Sequence, residues 1–388
     1  QRGIFPFGEE SFLRTDLYHQ YAPFFSEFQY KLQHGGSLLY SWDIGLGVNF
    51  TAIYAYYLAS PLNWFVVLFP KRYVIEFVTL LIVIKTALSS VSMTYYLLRH
   101  SSRDGLFAPI FGILYAFSAY MAAYSWNVMW LDCIVLFPLI LLGTEEMVRG
   151  ESSMKYILCL GLSILSNYYI SIMICLFLIF YAVFQAITAE LGLAETGKAA
   201  LRFAIASLIA AGLAAVVLLP EIFALRLTAS GEMNFPKTFE SYFSIVDMMA
   251  RQLPFVECEI GLDHWPNIYC GIFTLQLLLL YFSSREVPIK QRVGYALFLL
   301  FFFASFSVNV LNYIWHGFHY PNSLPARQSF IFCFLVLYLS FQALERFPRF
   351  SPREIFLSFA AVVLFILFAE KLVTEEHFHF WVFYLAFL

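Results

Sequence analysis

The residues with the clearest potential for chemistry lie near the start of the chain, in the stretch TDLYHQYAPFFSEFQYKL that runs from Thr15 to Leu32. Asp16 stands at its head, and His19 and Gln20 follow within one helical turn. A positioned carboxylate can accept a proton from an attacking hydroxyl group as a general base. Aspartate is also a common helix N-cap. Two interpretations of Asp16 therefore stay open, a catalytic base with His19 and Gln20 as substrate-binding neighbours, or a cap.

The residues after Asp16 predict a helix with one apolar face. Spacings of three and four along a helix make a continuous stripe, and here the stripe consists of Leu17, Tyr21, Phe24, Phe28 and Leu32. We expect this helix to lie flat on a membrane with the stripe toward lipid. Asp16 would then be held where the bilayer meets water.

Two charged residues lie in or beside apolar segments. Lys85 is inside the segment Tyr73 to Leu98, and Asp132 follows Trp130 in MWLDCIVLFPL. A charge in such a place is costly and functional by default. Asp132 is predicted either to join Asp16 as a catalytic acid or to pair with Lys85 or backbone amides. Lys85 is predicted either to bind a lipid phosphate or to pair internally.

A polar break interrupts the long apolar run from Tyr156 to Thr188 at SNYY. Polar breaks in membrane segments are tolerated beside protein or a water-filled cavity. The run is therefore predicted to form a broken helix pair. Asn167 and Tyr168 at the break are expected either to line a substrate cavity or to pack between helices.

A third group of polar residues occurs in HGFHYPNSLPARQSF. Pro321 and Pro325 stiffen the backbone before Arg327, whose planar guanidinium suits a phosphate group. The alternative is an ordinary arginine whose head reaches the membrane interface. His316 and His319 are predicted to bind substrate by hydrogen bonds, because two histidines without a nearby carboxylate make a poor metal site.

Composition defines the class of protein. Apolar residues make up 61% of the chain, charged residues only 13%, and the mean hydropathy is +0.73. Globular domains carry about 25% charged residues, so the chain is predicted to be an all-α polytopic membrane protein. A net charge of −3 and the absence of a basic cluster argue against nucleic-acid binding.

The hydropathy pattern divides the chain into loops and membrane segments. Tyr54 to Phe69 is apolar but too short to span a bilayer and contains Pro61, so it is predicted to be re-entrant or interfacial. Basic residues between 99 and 104 and between 346 and 353 indicate cytoplasmic connectors. Because the chain begins at Gln1 without a methionine and ends in an apolar run, we expect further sequence beyond both ends. The predicted segments are a first external loop with interfacial and re-entrant helices (1–72), transmembrane helices (73–219), a second external loop (220–270) and further transmembrane helices (271–388).

Several motifs together resemble one known family. These are TDLYHQYAPFF, GLGVNF, SPLNWFVVLFP, WNVMWLDCIVLFPLILLG, SNYYISIMICLFLIFY and HGFHYPNSLPARQSF. In this order they resemble the YfhO family of bacterial membrane proteins, which is similar to GT-C glycosyltransferases. The resemblance covers nearly the whole chain. It implies a GT-C-like transmembrane helix bundle, a further span before Gln1, and an essential acidic residue in the first external loop, at the position of Asp16. Leu17 and Tyr18 follow Asp16 where metal-dependent relatives carry paired acids, so no cofactor is expected and dependence on a divalent metal stays open.

The resemblance also implies a function. A glycosyltransferase of this type would sit in the bacterial cytoplasmic membrane with its active site on the external face. It would move a sugar from a polyprenyl-phosphate donor to a cell-envelope glycopolymer such as a teichoic acid. Arg327 is expected to bind the donor phosphate. Two other classes stay open: a transporter or flippase of lipid-linked sugars that uses Lys85, Asp132 and broken helices, and a non-catalytic scaffold for envelope assembly.

Other functional classes lack their motifs. The sequence contains no P-loop, GxGxxG turn, GxSxG elbow or HExxH pair, so ATPase, dinucleotide-binding and protease functions have no support. Cys258 and Cys270 share the second external loop, and a disulfide between them is possible but cannot be deduced from their spacing.

Overall fold

The computed structural model describes residues 3–4, 8, 10–13, 15–101, 105–227, 234–321 and 323–373. Three residues of the predicted basic connector 99–104 lie outside this described part. Within it about 70% of the residues are helical and strand is almost absent. The α-helices are α1 (Ala22–His34), α2 (Phe50–Ile53), α3 (Val74–His100), α4 (Ala108–Ala116), α5 (Ala119–Tyr124), α6 (Leu131–Val148), α7 (Met154–Ser166), α8 (Tyr168–Thr188), α9 (Leu193–Leu213), α10 (Ala215–Leu225), α11 (Ile245–Ala250), α12 (Thr274–Ser283), α13 (Ile289–Ser307), α14 (Asn309–Trp315), α15 (Ser329–Glu345) and α16 (Pro352–Leu372).

Shorter elements lie between these helices. Two five-residue π-helical turns occur at Leu17–Tyr21 and Tyr54–Leu58, and we call them the first and second π-turn. One small antiparallel hairpin pairs β1 (Tyr40–Ser41) with β2 (Val48–Asn49). The 3₁₀-helices are Pro61–Leu68, Lys71–Tyr73 and Phe347–Arg349.

Five of the described helices are long and apolar enough to cross a membrane. A span needs about 20 predominantly apolar residues, and the five are α3 with its preceding turn, α8, α9, α13 and α16. The prediction of an all-α polytopic membrane protein is therefore confirmed. The stretch Tyr54 to Phe69 forms a π-turn and a 3₁₀-helix rather than a span, as its length and Pro61 predicted.

Breaks within apolar segments divide into predicted and unexpected ones. The predicted break lies at Asn167, whose backbone is extended between α7 and α8, and its Oδ1 accepts a hydrogen bond from Ile170 N at 2.9 Å. The side chain thus caps α8. An unexpected break divides the apolar stretch 106–124. Its hydropathy predicts one continuous span, and this is wrong, because the stretch forms the two helices α4 and α5. The amide of Ala119 bonds to Tyr269 O at 2.8 Å instead of to its own helix.

The chain forms two compact units, and each is considered by itself. Unit 1 contains Gln1–Ser89, Ser125–Ala182 and Gly192–Met233; unit 2 contains Ser90–Tyr124, Val183–Leu191 and Asn234–Leu388. In unit 1, α6 is buried on nearly every side and packs against α7 and α9. In unit 2, α15 is the central helix and packs against α12 and α4. A helix that is apolar all round belongs in a core.

Candidate functional site

Asp16 is placed by a strained backbone. Thr15, directly before it, has a φ of +46°, which a β-branched residue rarely adopts. The carbonyl of Thr15 accepts hydrogen bonds from the amides of Tyr18 and His19 at 3.1 and 3.2 Å, so the chain turns sharply into the first π-turn. Strain of this kind persists where the surrounding structure imposes it and clusters at functional sites.

The Asp16 side chain does not cap the helix that it precedes. It occupies the N-cap position of the first π-turn, but its carboxylate accepts no capping hydrogen bond. It is half-buried and has no hydrogen bond to any other described residue. The capping interpretation is therefore wrong, and the carboxylate is held at the surface without a structural partner in the described part of the chain.

The two π-turns face each other beside this carboxylate. The ring of Tyr21, at the end of the first π-turn, lies 5.3 Å from the ring of Tyr57 in the second. The hydroxyl of Tyr57 also donates a hydrogen bond to Gln20 Oε1 at 2.7 Å. π-Turns are rare and frequently mark functional sites. Two in mutual contact therefore single out this segment.

Aromatic rings form a partly exposed surface next to the π-turns. Phe24 and Tyr57 are half-buried, and their ring centroids are 4.9 Å apart. Tyr21 packs at 6.2 Å against Trp126 and donates from its hydroxyl to Asn127 Oδ1 at 2.7 Å, which fixes the floor of the surface. Such rings, with a few polar groups, are the usual lining of a small-ligand site. His19, one of the predicted neighbours, is exposed.

The predicted apolar stripe packs on protein rather than facing lipid. Three members of the stripe, Leu17, Tyr21 and Phe28, are buried, and the ring of Phe28 lies 5.6 Å from those of Tyr54 and Trp64. Gln29 is buried as well and donates to Val66 O and Phe69 O at 2.9 and 2.7 Å. The expectation that this stripe faces lipid is therefore wrong, while the position of the helix at a membrane stays a prediction. The apolar surface is offered instead by the adjoining 3₁₀-helix, where the large exposed side chains are Trp64, Phe65 and Leu68.

Asp132 and Lys85 form a buried ion pair in unit 1. Lys85 is 0% exposed, and its Nζ lies 2.6 Å from Asp132 Oδ2 and 3.1 Å from Val128 O. Ser60 donates to Asp132 Oδ1 at 2.9 Å. Of the alternatives left open by the sequence, internal pairing is thus what the structure contains. Catalysis by Asp132 and phosphate binding by Lys85 stay predictions, and neither is favoured by these contacts.

Asn167 and Tyr168 lie at the helix break beneath the second π-turn. Asn167 is buried and donates from Nδ2 to Tyr56 O at 3.0 Å. Tyr168 donates from its hydroxyl to Glu221 Oε1 at 2.6 Å, and its ring lies 5.9 Å from that of Tyr56. The break therefore packs directly against the segment that carries the two π-turns.

Glu221 was not predicted as a site residue. It is a buried carboxylate in α10, and Glu221 Oε2 has no hydrogen-bond partner in the described part of the chain. The boundary predicted at residue 220 assigned Glu221 to a water-exposed loop. The signal was nevertheless present, because a lone acid in the apolar run VVLLPEIFAL carries the same cost that singled out Asp132.

Unit 2 contains the other predicted site residues. Arg327 is half-buried and donates to Leu324 O and Ser323 O at 3.1 and 3.0 Å. Leu324 and Ala326, on either side of Pro325, have positive φ values of 57° and 50°. Strained backbone thus precedes Arg327 as it precedes Asp16. The two carbonyl groups of this loop hold part of the guanidinium.

Buried polar groups accompany Arg327 in unit 2. His316 is fully buried; its Nδ1 lies 2.7 Å from Asn312 O, and its Nε2 has no partner among the described residues. Burial and the nearby Arg327 charge lower the pKa of His316 to about 3, and they also lower the pKa of His319. Gln328 is buried, and neither its Nε2 nor its Oε1 has a hydrogen-bond partner among the described residues. Unbonded buried groups are costly, so this corner is suited to a hydrogen-bonding ligand.

Metal ligands and disulfides are not assembled in the described residues. No group of three histidine, cysteine, aspartate or glutamate side chains there could hold a metal ion. Cys258 is exposed and Cys270 is buried, and neither is in a disulfide within the described residues.

Comparison with known proteins gives one match. No curated protein and no solved structure matches the chain. A family model described as bacterial membrane protein YfhO matches residues 1–388, which is the whole chain. The motif-based resemblance is therefore confirmed, and the chain belongs to the YfhO family of bacterial membrane proteins.

Proposed function

We propose that this chain is a membrane glycosyltransferase that transfers a sugar from a polyprenyl-phosphate donor to a hydroxyl of a cell-envelope glycopolymer on the external face. One observation carries the proposal. Asp16 is a half-buried carboxylate without a capping role, set by the strained Thr15 at the start of two π-turns that face each other. A group fixed in this way, and without a structural partner among the described residues, suits proton transfer.

The reaction uses Asp16 as a general base. An acceptor hydroxyl beside Asp16 gives its proton to the carboxylate while its oxygen bonds to the anomeric carbon of the donor sugar. The bond between that carbon and the phosphate oxygen breaks, and the electron pair leaves with the polyprenyl phosphate. The half-buried rings of Phe24 and Tyr57 provide an apolar surface for the sugar.

Arg327 of unit 2, considered apart from unit 1, is proposed to bind a phosphate group such as that of the donor. Its guanidinium is held by two backbone carbonyls, so the orientation is set before ligand arrives. His316 and His319 add hydrogen-bonding groups without adding charge, since burial keeps His316 neutral at physiological pH. The proposed base is a side chain, so its role needs no resident cofactor. Transfer measured with a chelator present tests for a divalent metal.

Asp16→Asn tests the proposal because it keeps shape and removes the proton acceptor. We expect transfer of a radiolabelled sugar from polyprenyl phosphate, measured with purified protein in lipid, to fall by about 10²–10⁴-fold. Asp43→Asn is the matched control, since Asp43 is an exposed acid of the same segment. Near-normal transfer by a folded Asp16→Asn protein would contradict the assignment. Movement of the lipid-linked sugar across vesicles without transfer would favour a transporter instead.

A further inference from the structure

Glu221 has a half-satisfied carboxylate inside unit 1. The residue is 4% exposed, and one oxygen is held by the Tyr168 hydroxyl at 2.6 Å. The other oxygen, Oε2, is buried and has no hydrogen-bond partner among the described residues. No described lysine or arginine forms an ion pair with it. Burying such an oxygen unpaired is unfavourable, so a donor supplied from outside the chain would stabilise it.

A second tyrosine–glutamate pair in unit 1 shows that this arrangement is not general. Tyr181 donates to Glu145 Oε1 at the same distance of 2.6 Å, and Glu145 is buried to a similar degree, at 3% exposure. Glu145 has no buried oxygen without a hydrogen bond, whereas Glu221 has one. The two pairs have the same residue types and similar burial. They differ because only Glu221 has a carboxylate oxygen without a hydrogen-bond partner among the described residues.

Aromatic rings lie beside the Glu221 pair and lead to the proposed catalytic segment. The ring of Tyr56 is 5.9 Å from Tyr168 and 4.8 Å from Tyr57, and Tyr57 is 4.9 Å from Phe24. Tyr56, Tyr57 and Phe24 are all half-buried, so part of each ring can be reached. A hydrogen-bond acceptor therefore lies at one end of a row of accessible rings.

We propose that Glu221, Tyr168 and the rings of Tyr56 and Tyr57 form a subsite for an uncharged sugar ring, with Glu221 Oε2 accepting its hydroxyl groups. The inference rests on the proposed transferase function and adds the part of the site that holds carbohydrate. A pyranose has hydroxyl donors on its edge and an apolar C–H face, which match a carboxylate and an aromatic surface.

Other ligand chemistries fit this place less well. A phosphate would be repelled by the carboxylate, which has no cationic partner among the described residues. A hard cation such as Ca²⁺ takes six to eight oxygen ligands, whereas Glu221 belongs to no group of three histidine, cysteine, aspartate or glutamate side chains among the described residues. The sugar ring comes either from the lipid-linked donor or from the acceptor glycan.

Binding of simple glycosides tests the subsite. The methyl glycosides of glucose, galactose and N-acetylglucosamine are titrated by ligand-observed NMR into protein in lipid nanodiscs. We expect at least one to bind, and Glu221→Gln to weaken it by about tenfold or more, as loss of a hydrogen bond to a charged group requires. Glu145→Gln is the matched control and should bind as the wild type does. Binding of none of the three, or equal binding by Glu221→Gln, would overturn the proposal.

A second measurement uses the wild-type protein and does not depend on a variant that folds. Hydrogen–deuterium exchange with peptide mass spectrometry reads the protection of the peptides that contain Glu221 and Glu145 separately. The bound methyl glycoside should protect Glu221 and leave Glu145 unchanged; lack of protection would contradict the subsite.

Competition then identifies the source of the sugar. Prenyl-phosphate esters of the same sugars should displace the methyl glycoside if the subsite holds the donor, and both should bind together if it holds the acceptor. Failure of the transferase proposal can be distinguished from failure of the subsite. If Asp16→Asn still transfers sugar, Asp16 is not the base, and this result does not affect glycoside binding at Glu221.

Discussion

Two carboxylates of unit 1 were candidate acids, and the structure gives them opposite surroundings. Asp132 is buried and compensated, with Lys85 Nζ at 2.6 Å and Ser60 Oγ at 2.9 Å. Asp16 is half-buried, follows a strained residue and has no hydrogen bond to another described residue. The carboxylate of Asp132 stabilises the fold, whereas that of Asp16 makes no hydrogen bond within the described residues and can contact a ligand.

The difference shows what an acid in an apolar segment indicates. Inside a low-dielectric segment a charge must be paired, because removing it from water costs several kcal/mol. Position in an apolar run therefore indicates compensation by a partner at least as strongly as it indicates reactivity. Strain in the preceding backbone, as at Thr15, points more directly to a functional position.

The largest effect is expected when the compensation of Asp132 is removed. Lys85→Met leaves a buried carboxylate without its cation, and the free energy of unfolding should fall by about 3–5 kcal/mol. Denaturant unfolding in detergent micelles measures it. The double variant Lys85→Met with Asp132→Leu should recover most of the loss, because an apolar pair needs no compensation. A single variant as stable as the wild type would show that the pair is not essential to unit 1.

Asp132 lies beside an opposite charge, whereas His316 is buried near the positive charge of Arg327, which disfavours its protonated form. Burial and Arg327 lower the pKa of His316 from 6.5 to about 3, so between these values the unfolded chain binds a proton that the folded chain does not. The contribution of neutral His316 to the free energy of unfolding is fully present above pH 6.5. It is lost as the pH falls toward 3, by about 1.4 kcal/mol per pH unit. His316→Gln should remove this part of the acid sensitivity. Equal pH profiles of the variant and the wild type would contradict it.

The smallest effect is expected for the stability of Asp16→Asn. No capping bond is present to lose, so the free energy of unfolding should stay within about 0.5 kcal/mol of the wild type. Thermal unfolding beside the transfer assay checks both properties of one sample. A loss of more than about 1 kcal/mol would mean that the carboxylate has a structural role and would remove the contrast with Asp132.

Hydropathy predicted the fold class and several of the membrane-spanning helices. The apolar segment that starts at Tyr73 is a helix long enough to span, and further spans occur within 271–388 as predicted, because long apolar runs have few alternatives to a buried helix. The break at Asn167 was also predicted, since an amide in an apolar run needs a partner, here Tyr56 O and the end of α8. These features depend on local composition alone.

The finer geometry depends on tertiary contacts that composition does not contain. The periodicity of Leu17 and Tyr21 predicted a regular α-helix, but packing of Tyr21 on Tyr57 accompanies a π-turn. Periodicity also could not distinguish a stripe that packs on protein from one that faces lipid, because both bury the same side chains. The sequence left open whether Lys85 and Asp132 pair with each other or serve the site, and the pairing depends on a contact between residues distant in sequence.

The first π-turn has a consequence for how the position of Asp16 is determined. A π-turn holds about one residue more than an α-turn, so residues before it are rotated by about 100° relative to an uninterrupted α-helix. The direction in which Asp16 leaves the helix therefore depends on the number of residues in Leu17–Tyr21 as well as on their types. A deletion of one residue there would redirect the carboxylate while every functional group remained in the chain. In this segment, chain length itself is a determinant of the site.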